Sequence, residues 1–164
     1  MTRALPPEAA GMVFRRCRSP SERRAAGRLL AGRGIVLAEL GVAGIDLFGL
    51  WDLTAPAGEA LAGAAATGPL GDGGEVQLRG IAVVTGRGRQ GLDRRLVCEV
   101  ADSLRARGAA RLVARPAGGA GPAPGLLRSA GFVPSDADRA PAEVSASPAD
   151  APADEEGGWW ELEL

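Results

Sequence analysis

The sequence predicts a single α/β (α+β) domain in which helices flank a sheet. Three observations lead there. Residues 75–84 read as a strand whose pattern changes from alternating to continuously apolar, as expected of a central strand. Residues 92–107 follow with Leu92, Leu96, Val100 and Leu104 four apart, the mark of an amphipathic helix. The chain ends in Trp160, Leu162 and Leu164 on one side of a further strand. A length of 164 residues, 46% of them hydrophobic and 24% charged, suits one domain with a buried core.

Each element has a local reason. Residues 1–11 carry Pro6 and Pro7 without periodicity and read as a flexible leader, leaving 12–164 as the domain. Met12, Val13 and Phe14 open a short strand that runs into an arginine cluster, read as a solvated face. Ser19, Pro20 and Glu22 form a helix start, with a cap, a proline at the first helical position and a capping-box glutamate. That helix runs to Leu30 and stops at Gly32 or Gly34. Residues 35–40 suggest a second short helix. Residues 45–53 form a strand, 54–58 a turn, and 59–67 the returning arm of a hairpin in an alanine-rich stretch poorly suited to strands. Residues 68–74 read as another turn.

Gly80, where the pattern of the 75–84 strand changes, marks a bulge or bend. Gly108 ends the long helix. Residues 111–115 form a short strand and 122–130 a short helix stopped by Gly131; Phe132 and Val133 begin another strand. Residues 135–158 lose all apolar periodicity. The tail from 135 onward holds nine acids and one arginine, so this stretch reads as a solvated, disordered acidic loop. The Trp159–Trp160 pair reads as an edge strand packing on the sheet.

Composition removes whole classes of chemistry. The chain has no His, Lys, Tyr or Asn, and all 19 basic residues are Arg. A Ser-His-Asp triad, a His-ligated zinc site, a Schiff-base lysine and a catalytic tyrosine are excluded, and no metal is expected. Cys17 and Cys98 lie far apart and read as small buried hydrophobes. A net charge of -1 supplies no field for nucleic acid or anionic membrane. No apolar run is long enough for a membrane span, and no secretory pattern opens the chain, so a cytoplasmic protein is expected. A homodimer is compatible with the sequence.

The chemistry-bearing unit is the strand, the loop Thr85–Gly91 and the helix from Leu92. Backbone N–H groups at a helix start, a dipole worth about half a positive charge and flanking arginines make an anion cradle suited to a pyrophosphate. With no lysine there is no GxxxxGK[ST] loop. Residues 86–91 match GxGxxG, but no acid follows about twenty residues on, which disfavours a dinucleotide fold.

Three stretches resemble the GNAT acyltransferases. Leu78–Val84 with Arg89–Val97 looks like the family's motif A, [RQ]xxGx[GA]. Leu126-Leu127-Arg128-Ser129-Ala130-Gly131-Phe132-Val133 is similar to its late helix-to-strand junction, and Leu50–Leu53 with Glu59–Gly63 to its early hairpin. The resemblance implies a mixed, mostly antiparallel sheet splayed between two central strands, with acyl-CoA in the gap. It implies an acyl-CoA-dependent N-acyltransferase moving acetyl from acetyl-CoA to a small-molecule or peptide amine by direct attack. Arg89, Gln90, Gly91, Leu92, Asp93 and Arg94 would form the pyrophosphate loop. Main-chain groups around Ala82, Val83 and Val84 would hold the pantetheine arm and polarise the thioester. Gly88 stands where the motif has Arg or Gln, Asp93 where it has Gly or Ala, and Leu127 where many members have tyrosine. Asp93 would repel a phosphate, with Arg89, Arg94 and Arg95 as counterweights. Glu75 is the candidate proton acceptor. The alternative is a catalytically degenerate GNAT-fold binding or regulatory module.

Overall fold

The computed structural model describes residues 11–35, 44–55, 60–70, 74–85, 91–116, 121–135 and 158–164. The leader to residue 10, all but Ile35 of the second helix expected over 35–40, the loop 86–90 and the acidic stretch 136–157 lie outside the described residues.

Among the described residues seven strands form one sheet: β1 (Met12–Arg16), β2 (Asp46–Asp52), β3 (Ala60–Leu70), β4 (Glu75–Val83), β5 (Arg111–Ala114), β6 (Val133–Pro134) and β7 (Trp160–Glu163). Their spatial order is β1-β2-β3-β4-β5-β7-β6. All neighbours run antiparallel except β4 and β5, which are parallel and joined by α2 (Leu92–Arg105). α1 (Pro20–Ala31) follows β1, and α3 (Pro124–Ser129) follows β5. Among the described residues no helix is long and apolar enough to cross a membrane.

Two cores lie on opposite faces of the sheet. Leu92, Leu96, Val97, Val100 and Leu104 of α2 pack on Phe48, Leu50, Ala62, Ala65 and Leu78, joined by Leu127, Phe132 and Trp160. Ala26 and Leu30 of α1 pack on Cys17, Leu47, Trp51, Ala64, Ala66 and Ala82. Covered on both sides, β3 buries Ala62, Ala64, Ala65 and Ala66 to 1% exposure or less. Burial and pairing along both edges outweigh alanine's weak strand propensity there. Small side chains also suit a strand on which helices press from both faces.

The helix starts follow their sequence signals. Ser19 caps α1, and the reciprocal Glu22 contact completes the capping box. The glycines that close α2 and α3, Gly108 and Gly131, take positive φ. Several expectations are corrected. Residues 68–70 continue β3 rather than turning, because Gly68, Pro69 and Leu70 pair with Gln77, Val76 and Glu75. β7 lies between β5 and β6, so the Trp160 strand is interior and β6 is the edge. Gly11, just before β1, accepts a bond from the Leu53 N–H at 2.9 Å. Cys98 is half-buried rather than in the core. The arginine face that begins at the end of β1 is partly engaged. Arg15 pairs with Glu22 at 2.9 Å and lies over the Trp51 ring, and Arg16 pairs with Asp46.

The capping box makes α1 pH-sensitive. N–H donors of Ser19 and Arg18, then the Arg15 guanidinium, hold the Glu22 carboxyl down from 4.5 to about 2. A depressed pKa stabilises the fold above the unfolded value and loses that contribution as pH falls through the folded one. Glu22→Gln is expected to melt below the wild type at pH 7. The gap should shrink below pH 4.5 and close near pH 2 in thermal melts across that range.

Candidate active site

The site begins where two strands part. β5 pairs with β4 only along Glu75–Leu78, opposite Arg111–Ala114. Just beyond, the β3–β4 register slips, with Ala66 opposite Gly80 and Thr67 opposite Leu78, leaving Arg79 as the extra residue of a bulge. The slip reverses the facing of the strand. Val76 and Leu78 turn to the α2 core before it, Ile81 and Val83 after it, while Ala82 joins the α1 core. The bulge expected near Gly80 is thus present. The apolar half packs on both cores, with Ala82 buried and Ile81 and Val83 half-buried. Gly80 has its own reason: a Cβ there would meet Ile35 at 2.7 Å.

Among the described residues the outer half of β4 therefore has one edge paired to a strand and one edge without a strand partner. Val84 N–H donates to Ala62 O on β3 at 2.9 Å. Backbone groups alternate along an antiparallel ladder, so Ala82 also points to β3, opposite Ala64. Ile81 and Val83 then present their N–H and C=O to the gap that β5 has left. Of the expected arm-binding residues Ala82, Val83 and Val84, only Val83 has backbone facing the gap, and Ile81 joins it. The alternation of ladder bonds could have found Ile81, but only once the bulge had fixed the register.

The gap opens into a cleft of about 200 Å³ lined by Ile81, Ala82, Val83 and Asp93, with Pro122 and Leu126 on the far wall. Arg33 closes one side. Its Nη2 donates to Val83 O at 2.9 Å. Nothing in the sequence marked Arg33, which follows α1 in the turn read as a helix stop.

At the outer end stands the start of α2. Gly91 is its N-cap, at φ 77, and offers no side chain to the first-turn amides. Most residues are strained at that φ, which glycine adopts freely. Leu92 is buried at 5% exposure, so only its backbone is available there. Asp93 Oδ1 accepts the Arg94 N–H at 2.7 Å. Arg94 is half-buried, and its Nε is buried without a hydrogen-bond partner among the described residues. Arg95 turns away, toward Met12 O at 3.4 Å and Glu99 at 3.6 Å, so it is no counterweight to Asp93. Arg89 and Gln90 lie outside the described residues.

Two sequence-singled residues are not brought to the cleft. Glu75 sits at the other end of β4, roughly 25 Å from Val83 at strand rise. It pairs with Arg111, which also holds Glu161 at 3.2 Å. An ion-paired carboxylate at that distance takes no proton in the cleft, which corrects its expected role. Leu127 is fully buried, packed in the α2 core.

Solved structures share this architecture. A GNAT family acetyltransferase from Brucella melitensis in complex with acetyl-CoA has a TM-score of 0.58 at 19% identity, over 74% of this chain and 82% of its own. The ribosomal-protein-S18-alanine N-acetyltransferase from Escherichia coli has a TM-score of 0.58 at 22% identity, over 93% of each chain. A GNAT family N-acetyltransferase from the same organism in complex with CoA has a TM-score of 0.63 at 22% identity, over 93% of this chain and 81% of its own. No family model matches the sequence, and no curated protein is similar enough to match.

The thiols stand apart from the cleft. Burial pushes the Cys17 thiol up to about 11, and the Glu22 carboxylate adds to the rise. It is therefore a poor thiolate at neutral pH. Alkylation with iodoacetamide at pH 7.5 is expected to modify Cys98 first and Cys17 only on unfolding, read by mass spectrometry of the peptides. The parallel pair that parts at a bulge, in this strand order, gives the chain the fold of the GNAT N-acetyltransferases.

Proposed function

We propose that this protein is an acyl-CoA-dependent N-acyltransferase that moves an acetyl group to an amine by direct attack. The observation that carries the reading is the open edge of β4. Ile81 and Val83 direct backbone groups into a cleft that runs to the start of α2. An acyl-CoA needs those features: amide-bonding groups for its pantetheine arm and a helix start for its diphosphate.

The chemistry asks little of side chains. The amine lone pair attacks the thioester carbonyl, and negative charge develops on its oxygen. A fixed N–H on the open edge stabilises that charge without reorganising. The C–S bond then breaks, and the thiolate leaves as the new amide forms. The proton lost by nitrogen passes to water and the leaving thiolate takes one back. Holding amine and thioester together supplies much of the remaining acceleration. Leu127, in the place of a tyrosine acid, is compatible with this solvent-mediated route.

The acceptor is a small molecule or peptide bearing a free amine. The same fold serves a ribosomal-protein alanine acetyltransferase. The proposed setting is cytoplasmic, with no metal and no nucleic-acid partner. Calorimetry with acetyl-CoA tests the reading: saturable binding below millimolar is expected, and no heat at millimolar ligand would overturn it. A second measurement reaches the chemistry. Val83→Pro removes an N–H that serves no ladder bond, so the circular dichroism spectrum should persist. Thiol release from acetyl-CoA should fall about a hundredfold or more, the scale of losing one such donor.

A second reading is an inert module of this fold, favoured by one observation: Asp93 already occupies an amide at the helix start. Sustained thiol release with any member of an amine panel contradicts it.

A further inference from the structure

Asp93 is where the cleft departs furthest from an anion cradle. A helix start attracts a phosphate because its first N–H groups lack partners and its dipole is positive. Here the Asp93 carboxylate accepts the Arg94 N–H at 2.7 Å. A full negative charge of the chain's own stands on that dipole, and the same residue lines the cleft beside Val83. Gly91 contributes no side chain, and Arg95 is committed elsewhere, to Met12 O and Glu99. A diphosphate at this turn would meet a carboxylate within a few ångströms, which costs affinity as like charges do.

The inner part of the cleft has a different character. Ile81 and Val83 turn backbone donors and acceptors to the strand edge that β5 has left, where the Arg33 guanidinium already holds the Val83 carbonyl at 2.9 Å. Such an edge recognises an arm that carries amides, whatever its charge at the far end. The two ends therefore contribute unequally to holding one donor.

We propose that Asp93 is a donor-specificity residue. It cancels the contribution of the diphosphate and moves recognition of the acyl donor onto its pantetheine arm, so that acyl-pantetheine thioesters serve this protein nearly as well as acyl-CoA. The inference rests on the acyltransferase reading and concerns which part of the donor is recognised.

Calorimetry on the full chain tests it with two probes, CoA and pantetheine. The wild type is expected to prefer CoA by less than about tenfold. Asp93→Asn keeps an oxygen for the Arg94 amide but removes the charge, and Asp93→Gly removes both. Both should bind CoA about tenfold more tightly while pantetheine binding stays within about twofold. The CoA affinity of Asp93→Asn should also fall with added salt more steeply than that of the wild type, because a screened attraction has been uncovered. A wild-type preference for CoA above about a hundredfold, or an unchanged CoA-to-pantetheine ratio in Asp93→Asn, overturns the proposal while leaving the acyltransferase reading intact. Failure of both probes to bind the wild type and both variants overturns the two together.

Discussion

The parting of β4 from β5 is the constraint on which the site depends. Pairing stops at Leu78 and Ala114, and the extra residue Arg79 reverses the facing of everything after it. Without that slip Ile81 and Val83 would turn toward the α1 layer, where Ala82 now packs. An unpaired strand edge inside a sheet is costly, since its N–H and C=O groups want partners. Here one of them, the Val83 carbonyl, takes a guanidinium N–H from Arg33. The rest open into a cleft that solvent or a ligand can fill.

The alanine-rich β3 serves the same end from the other side. It holds β4 through a ladder continuous but for one slip, so the outer half of β4 stays a strand although β5 has left it. Its small side chains let α1 settle close to the sheet, with Ala26 and Leu30 over Ala64 and Ala66. That position brings the turn after α1 near enough for Arg33 to reach Val83. A residue without any local signature thus becomes a wall of the cleft through packing two elements away.

Much of the fold was legible because its signals are local. The Ser19–Glu22 box, the four-residue spacing of the α2 leucines and valine, and the glycines after α2 and α3 each act within a turn or two of the chain. The places where the sequence misled are those where pairing overrides composition. Gly68-Pro69-Leu70 has the composition of a turn, yet a long partner strand holds it in the ladder. The bulge near Gly80 was readable from the change of pattern. Its consequence was not, because which backbone groups face the gap depends on register with β3. Hence the sequence pointed to Ala82, Val83 and Val84, whereas the backbone groups that face the gap are those of Ile81 and Val83. Glu75 was picked for its chemistry on the right strand, but only the β5 register reveals that Arg111 stands beside it.

A cleft whose working parts are main-chain groups is indifferent to much of what the composition excludes. The absence of His, Lys and Tyr removes acids and bases that a side-chain mechanism would need, but it takes nothing from an N–H fixed by a strand. What side chains can still change is the field around that strand. Asp93 and Arg33 bring opposite charges to the lining of the cleft, one bonded to the helix start and the other to the strand edge. Each occupies a backbone group that a donor could use. A ligand entering this cleft therefore competes with contacts the chain already makes, and its affinity measures the difference between the two sets. That difference is smallest at the Asp93 end, where the competitor carries a full charge of the same sign as a phosphate.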